Sequence, residues 1–467
     1  KPCFFSRAQP TVCIATMLMV MRSLACASFA VWHAATEVCS PTACFGGDCP
    51  GENVTLNRSI FHVKVWNGKS YSDTVGTVDA YAMAHSDFGI FLHGPLFRPA
   101  QQQLADFAPP LYIVGSLTDK IFRLDNFRKN ESTLSASKHF VAWSAAPSTL
   151  YPIKPGRLGG PERFLVAEGN PFVVNPGNHS MQFWMGGVEL VDEEKCTTIF
   201  PTGVDAITGK VINTVECHAS GICFFSQWKF YDDSLPLGNN DCLYWCRVAD
   251  LDNPSECMDS GIMVNVLGNQ ICHVDGRGAV HGLKIGKDDA EEDGVFDLFL
   301  LFTGKPTFDE GDSSIFKLKV KISLLPEGKG AVETIATSAW GTDLWQNSVA
   351  QPHSVGVDHA WIDDSGEYVW VGTFRQQSDG VHMLEYDSGK LVHSIFGVAD
   401  LFPGKYVYTS GLHGIGAWGK KGSVLAVATC MEFGQQFLGG TSFVVLIDLS
   451  SMVPGRSSNT SASVLVI

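Results

Sequence analysis

Histidine spacing is the pattern in this sequence that most clearly indicates a reactive site. His281 precedes Gly294 by the same interval that separates His353 from Gly366. If both glycines occupy turns, the two histidines hold equivalent positions in two repeats. Converging neutral imidazoles suit a transition-metal ion, and a metal with an open position can polarise a carbonyl group or activate water. We therefore expect His281 and His353 to be metal ligands.

Further histidines could complete this ligand set. The spacings 85/93, 273/281 and 353/359 are even, so each pair would project from one face of a strand. We expect the two main ligands to be joined by some of the following residues: His85, His218, His359 and His413.

Charged residues near these histidines supply the remaining groups of the predicted site. The segments 85–94 and 273–282 both match H-x-D-x5-H-G. Asp275 and Asp358 would orient imidazoles, because a carboxylate that accepts the second ring N–H fixes the tautomer. Arg277 would bind a substrate carboxylate or sulfate. The alternative is that these histidines lie at strand starts and hydrogen-bond to backbone or water.

An acidic run offers a second kind of metal site. Carboxylate oxygens, which are the ligands that Ca²⁺ prefers, could be supplied by Asp288, Asp289, Glu291, Glu292 and Asp293. The run lacks the spacing of an EF-hand loop, which favours a solvated turn. The predicted cofactor is therefore a transition-metal ion of open identity, with Ca²⁺ in a carboxylate-dependent hydrolase as a further alternative.

Cysteines cluster in the middle of the chain. A zinc site could be built from Cys217, His218, Cys223, Cys242 and Cys246. The spacings C-x5-C and C-x3-C match no common zinc module, so disulfides are favoured in an oxidising compartment.

Several reaction classes have no motif in this sequence. It contains no G-x-S-x-G elbow, no P-loop, no G-x-G-x-x-G after a strand and no H-E-x-x-H. Serine-hydrolase, nucleotide and zincin chemistries therefore lack motif support.

Composition excludes further classes. The 467 residues are 45% hydrophobic and only 17% charged, which excludes a disordered chain. Basic residues number 33 against 48 acidic ones, for a net charge of −15. An acidic surface repels phosphate backbones, so nucleic acid is not an expected partner.

The N-terminal region predicts entry into the secretory pathway. From Met17 a short segment ending at Arg22 precedes an uncharged stretch and then small residues, as in a signal peptide. We expect residues 1–36 to be upstream residues and signal peptide, 37–58 a Cys-rich segment, and 59–467 the main domain, with no transmembrane span in the mature chain. Sequons at five asparagines agree with secretion: Asn53, Asn57, Asn130, Asn178 and Asn459.

Short apolar runs that alternate with Gly-, Asp- and Ser-rich turns indicate an all-β fold. The clearest unit is 353–389, with its turn glycine at Gly366, and similar units before and after it place turn glycines at Gly294 and Gly422. Six such units cover about 60–450, and in this respect the chain resembles six-bladed β-propellers. The resemblance implies six four-stranded blades, or seven if 54–66 pairs with 463–467. A pair of β-sandwiches is the alternative.

These observations predict a secreted β-propeller enzyme with a His-lined axial metal site. In a propeller the first strands line a central channel, so equivalent positions converge there. The substrate would be a small organic molecule or a saccharide, and hydrolysis, elimination and oxidation all stay open. The alternative is a non-catalytic extracellular propeller that binds a protein or glycan.

Overall fold

The computed structural model describes much of the chain from residue 53 to residue 449. The described stretches are 53–66, 71–83, 92–97, 110–115, 120–125, 132–140, 146–153, 163–174, 181–191, 196–201, 210–229, 241–254, 257–273, 279–303, 315–324, 330–346, 356–363, 365–374, 380–396, 408–418, 424–433 and 436–449. The predicted signal peptide lies outside these residues.

Nearly all described elements are β-strands. The first ten are β1 (Asn53–Trp66), β2 (Tyr71–Met83), β3 (Leu92–Phe97), β4 (Leu111–Gly115), β5 (Lys120–Leu124), β6 (Thr133–Phe140), β7 (Ala146–Ile153), β8 (Arg163–Val174), β9 (Met181–Val191) and β10 (Cys196–Pro201). The next nine are β11 (Lys210–Cys217), β12 (Ile222–Lys229), β13 (Asp241–Val248), β14 (Cys257–Ile262), β15 (Cys272–His273), β16 (Ala279–Asp288), β17 (Val295–Thr303), β18 (Ile315–Leu324) and β19 (Gly330–Trp340). A short helix, α1 (Asp343–Gln346), precedes β20 (Gly356–Ile362), β21 (Tyr368–Phe374), β22 (Gly380–Glu385), β23 (Leu391–Phe396), β24 (Tyr408–Trp418), β25 (Val424–Phe433) and β26 (Gln436–Asp448).

Consecutive strands pair antiparallel into small up-and-down sheets. The runs are β3–β6, β7–β10, β11–β14, β16–β19, β20–β23 and β24–β26, and β2 pairs with the outer edge of β26. The first strand of each run contacts the first strand of the next, from β3 through β7, β11, β16 and β20 to β24, which contacts β3. We call these the inner strands. The fold is all-β, with sheets arranged as in a β-propeller.

The number of blades is not confirmed. The strand β1 pairs with both β6 and β23, and β17 pairs with β20, so these strands join neighbouring sheets. Four separate blades are distinguished, rather than six or seven. The strand β1, which covers the segment predicted to form a seventh blade, also pairs with β2. Its predicted partner, 463–467, lies outside the described residues.

Apolar clusters join successive sheets. Phe224 and Leu243 pack with Phe296 and Leu298, which couples β12 and β13 to β17. In a further cluster, Phe299 of β17 packs with Val369 of the following sheet. Burial of apolar surface between the faces is the main force that holds such sheets together.

The residue patterns explain these strands. Every residue from Leu298 to Phe302 in β17 is 0% exposed, as expected for a strand covered on both faces. In β18 buried Phe316, Leu318 and Val320 alternate with partly exposed lysines, as the FKLKVKI pattern predicts. Gly294 and Gly366 have φ angles of 75° and 67°, which agrees with their predicted places in hairpin turns.

Candidate functional site

The predicted site residues fall into three groups. In described strands lie His281 of β16, Asp358 and His359 of β20, and His413 of β24, while His218 follows β11 directly. Outside the described residues lie His85, Asp275, Arg277 and His353. Among the predicted residues, side chains are described only for His218 and His281, and the His281 side chain is buried.

Every inner strand contains a β-bulge opposite its second strand. The extra residues are Gly94 and Pro95 in β3, Ser148 in β7, Asn213 in β11, His281 in β16, Asp358 and His359 in β20, and His413 and Gly414 in β24. A bulge bends the strand and changes the direction of the side chain it carries, and bulges are common beside active sites. Three neighbouring inner strands thus have a histidine at this position.

Contacts between inner strands show that the bulges lie at similar levels. Thr149, next to the β7 bulge, accepts a hydrogen bond from the Val215 backbone N–H of β11 at 3.2 Å. Lys284 Nζ and Glu216 Oε1 are 2.8 Å apart, and each residue lies three positions after its own bulge. On the other side, Gly356 of β20 pairs with Thr303, the residue that also pairs with Ala279 of β16.

The register of two hairpins relates positions on β16 to positions on β20. Phe302, eight residues after Gly294, pairs with Val280, whereas Phe374, eight residues after Gly366, pairs with Gly356. Position 356 is therefore equivalent to 280. Equal spacing from the turn glycine fails because β16 has a second bulge, at 286 and 287, and a longer turn. By register His359 of β20 lies close to the level of His281, whereas residue 353 lies outside the described residues, so its assignment as a ligand stays a prediction.

The structure separates His218 from His281. His218 Nε2 lies 2.9 Å from Asp288 Oδ1, at the end of β16 opposite to His281. A strand rises about 3.3 Å per residue, so positions 281 and 288 lie about 20 Å apart along β16, which keeps His218 far from His281. The two cannot bind one metal ion. Within the described residues, no three His, Cys, Asp or Glu side chains come together as metal ligands.

Two residues of the acidic run at the end of β16 form ion pairs with lysines of β18. Asp289 pairs with Lys319, and Glu292 Oε1 lies 2.6 Å from Lys321 Nζ. The hydrogen bond from Lys319 is the main cause that lowers the pKa of the Asp289 carboxyl group. These contacts favour an ion-paired turn over a Ca²⁺ site.

A tyrosine from the next sheet enters the second bulge of β16. Tyr386 Oη donates to Asp297 Oδ2 at 2.8 Å and accepts from the Lys287 backbone N–H at 2.7 Å. A Cβ atom at Gly286 would lie 2.3 Å from this hydroxyl, which explains why glycine occupies the bulge. Burial is the main cause that raises the pKa of the Tyr386 hydroxyl above its usual range. No sequence pattern indicates this contact, because Lys287 and Tyr386 lie 99 positions apart in the chain.

Two disulfides confirm the favoured interpretation of the cysteine cluster. Cys217 is bonded to Cys223, and Cys246 is bonded to Cys257. Cys242 is also disulfide-bonded. These cysteines are therefore not zinc ligands.

A buried histidine outside the predicted ligand set is structural. His382 is 0% exposed, and its ring nitrogens lie 2.9 Å from Thr373 Oγ1 and 2.8 Å from Ser394 Oγ. Burial lowers the pKa of His382 to about 3, so the imidazole is neutral at physiological pH.

No protein-family model matches this chain, and no curated protein sequence is similar to it. In the described part of the chain, no helix is both long and apolar enough to cross a membrane.

Solved structures share part of the strand arrangement. A luciferin-regenerating enzyme has 12% identity and a TM-score of 0.42, and the match covers 77% of this chain and 92% of that one. An α-L-arabinofuranosidase of Fusarium graminearum, solved with arabinobiose, has 11% identity and a TM-score of 0.41 over 79% and 99%. A polysaccharide lyase has 8% identity and a TM-score of 0.33 over 78% and 99%. Similarity this distant assigns no activity.

Proposed function

We propose that this chain is a secreted six-bladed β-propeller enzyme that binds a transition-metal ion at the bulges of its inner strands. One observation carries this proposal: three neighbouring inner strands have a histidine in the bulge, at His281, His359 and His413. Imidazole is the commonest protein ligand for such metals. A metal in this position would polarise a carbonyl group or activate water. The substrate class is a small organic molecule or a saccharide.

The six-blade count is supported by the closed circle of inner strands. Six strands contact each other in sequence order, and β24 contacts β3 to close the circle. The sixth sheet has only three consecutive strands, and β2 supplies its fourth by pairing with β26. An N-terminal strand that completes the last sheet would lock the circle shut and leave fewer exposed sheet edges.

The remaining predicted residues are proposed to complete the site from the segments that precede inner strands. In the sequence, His85 precedes β3, Asp275 and Arg277 precede β16, and His353 precedes β20. Asp358 shares the β20 bulge with His359 and would fix an imidazole tautomer. Arg277 would hold an anionic group of the substrate.

Secretion is supported by the disulfides and by the predicted signal peptide. Structural disulfides persist in oxidising compartments and are rare in the cytosol. Asn57, one of the predicted glycosylation acceptors, is exposed.

Metal analysis tests the proposal. The full secreted protein, His281→Ala and His359→Ala would be purified and their transition-metal content measured by elemental analysis. We expect about one ion per chain in the parent protein and only trace metal in both variants, because each loses a ligand. His218→Ala is the matched control, since it removes a histidine at the opposite end of β16, and it should keep its metal.

Two results would overturn this assignment. One is trace metal in the parent protein. The other is equal metal loss in His218→Ala and His281→Ala. A folded, metal-free parent protein would favour the non-catalytic propeller that binds a protein or glycan partner.

A further inference from the structure

The turn between β11 and β12 holds a serine and a histidine inside a disulfide. Its sequence is CHASGIC, and the Cys217–Cys223 bond closes it. Gly221 has a φ angle of 88°, and a Cβ atom there would lie 2.8 Å from the Val248 carbonyl oxygen. The turn is thus fixed covalently and by a backbone conformation that favours glycine.

Hydrogen-bond partners define which ring nitrogen of His218 is basic. The Ser220 backbone N–H donates to His218 Nδ1 at 3.2 Å, so Nδ1 is an acceptor and carries no proton. The proton of the neutral imidazole then lies on Nε2, 2.9 Å from Asp288 Oδ1. Ser220 Oγ lies 2.9 Å from Nδ1 and donates its proton to that nitrogen.

The imidazole is held from two sides. Its ring stacks on Phe296, with the centroids 4.3 Å apart and the planes 10° apart. Asp288 comes from the neighbouring sheet, 70 residues away in the chain. The stack on Phe296 sets the ring plane, and the contact with Asp288, whose side chain is 75% exposed, orients Nδ1 towards Ser220.

Of these side chains, the serine is more accessible to solvent than the histidine. The His218 side chain is 12% exposed, whereas Ser220 is exposed. A carbonyl group from solvent can therefore approach Ser220 Oγ while the base behind it is shielded. Hydroxyl, base and orienting carboxylate are the parts of a Ser-His-Asp triad, which is recognised by geometry and roles rather than by a motif.

We propose that Ser220, His218 and Asp288 form a reactive centre for acyl transfer from small carboxylic esters, independent of the metal site. Ser220 Oγ bonds to the ester carbonyl carbon while its proton passes to His218 Nδ1. The bond to the leaving alcohol breaks, and the alcohol takes that proton. Water then repeats the two steps and releases the acid and free Ser220. Asp288 is a positioning residue that holds the Nε2 proton and stabilises the imidazolium.

The chain contains a natural comparison for this serine. Ser365 occupies the corresponding turn between β20 and β21 and is also exposed. Its hydroxyl donates directly to Asp363 Oδ1 at 2.7 Å, with no histidine between them. Ser365 therefore has a neighbouring carboxylate but no imidazole base.

A fluorophosphonate probe and p-nitrophenyl acetate test the proposal on the full oxidised protein. Mass spectrometry should find the probe on Ser220 and not on Ser365. General-base assistance contributes about 10²–10⁴-fold, so Ser220→Ala should lower ester hydrolysis at least about 100-fold. Ser365→Ala should leave the rate unchanged. A chelator that removes transition metal should also leave it unchanged, which separates this centre from the proposed metal site.

Asp288→Asn tests the positioning role. We expect kcat to fall about tenfold or more with KM unchanged, and Asp288→Glu to restore part of the rate. A parent protein that is not labelled at Ser220 would overturn the proposal, as would a Ser220→Ala variant that hydrolyses the ester at the parent rate. The labelling result needs no variant, so a misfolded substitution cannot obscure it.

Discussion

Strand β16 reaches from the bulge at His281 to the hairpin turn at Asp288, and its two ends differ in what holds their side chains. At the turn end, His218 is fixed by a disulfide within its own turn and by a ring stack and a carboxylate from the next sheet. At the bulge end, His281 lies on one of the strands that form the closed circle. The turn end therefore depends on a few nearby contacts, and the bulge end depends on closure of the whole circle.

This difference explains why the two ends should respond to different perturbations. A local bond can be removed at the turn end without moving β16 as a whole. The relative places of His281, His359 and His413 depend on three sheets in mutual contact, so they should change only when the packing between these sheets changes. Local effects can therefore be separated from effects on the whole fold.

The largest expected effect is a loss of stability in acid. It arises at His382, which lies at neither end of β16. The pKa of His382 falls to about 3 in the folded protein, from an ordinary value of 6.5. Below pH 6.5 the imidazole of residue 382 binds a proton in the unfolded chain but stays neutral in the folded protein. The contribution of His382 to the free energy of unfolding is therefore fully present above pH 6.5 and is lost as pH falls towards 3. At about 1.36 kcal/mol per pKa unit, the loss amounts to about 4 kcal/mol at pH 3 and about 2 kcal/mol at pH 5.

His382→Gln checks this assignment. Glutamine can still hydrogen-bond to Thr373 and Ser394 but does not titrate. Urea unfolding at pH 7 and pH 5 should show a smaller acid loss in this variant, by about 2 kcal/mol. If the loss of unfolding free energy between pH 7 and pH 5 is the same in His382→Gln as in the parent protein, another group causes the acid sensitivity.

The disulfide at the turn end should have an intermediate effect. Replacing Cys217 and Cys223 together by alanine removes a constraint on the unfolded chain, which for so short a loop corresponds to about 2 kcal/mol of unfolding free energy. Labelling of Ser220 should fall with it, because the turn loses its closure. Metal content should not change, since the bulge end does not depend on this bond.

The second disulfide provides the matched control. Cys246 and Cys257 join β13 to β14 in the same sheet, and this bond does not close the His218 turn, although Cys246 pairs with Cys223 across β12 and β13. Their joint replacement by alanine should also lower stability but should preserve labelling of Ser220. Equal loss of labelling in both double variants would mean that the sheet as a whole, and not the closed turn, positions the serine.

Sequence patterns predicted the all-β class, the turns at Gly294 and Gly366 and the disulfide-bonded state of the cysteines, whereas Gly422, the third predicted turn glycine, lies outside the described residues. Burial of alternate residues in β18 and the positive φ angles of Gly294 and Gly366 follow from a few neighbouring residues. The partner of His218 could not be found this way, since Asp288 meets it only after two sheets pack. Equal residue counts from the turn glycines do not mark equivalent positions on β16 and β20, because a bulge adds residues to one strand and no sequence pattern identifies it. The ligand assignments of His353, His85, Asp275 and Arg277 stay predictions.

The smallest expected effect lies between the two ends, at the ion pair of Lys284 with Glu216. The pair joins β11 to β16, and its side chains are 27% and 18% exposed. Because the pair is partly buried, it should stabilise the protein more than a fully exposed pair does. We therefore expect a coupling energy of about 1 kcal/mol from a double-mutant cycle. Lys284→Met keeps the apolar stem of the side chain in place, so the cycle with Glu216→Gln reports the charges rather than lost packing. The coupling should shrink in high salt, and the metal content and the labelling of Ser220 should both persist, because neither end of β16 is held by this contact alone. Loss of both properties in Lys284→Met would show that the two ends are coupled through the middle of the strand.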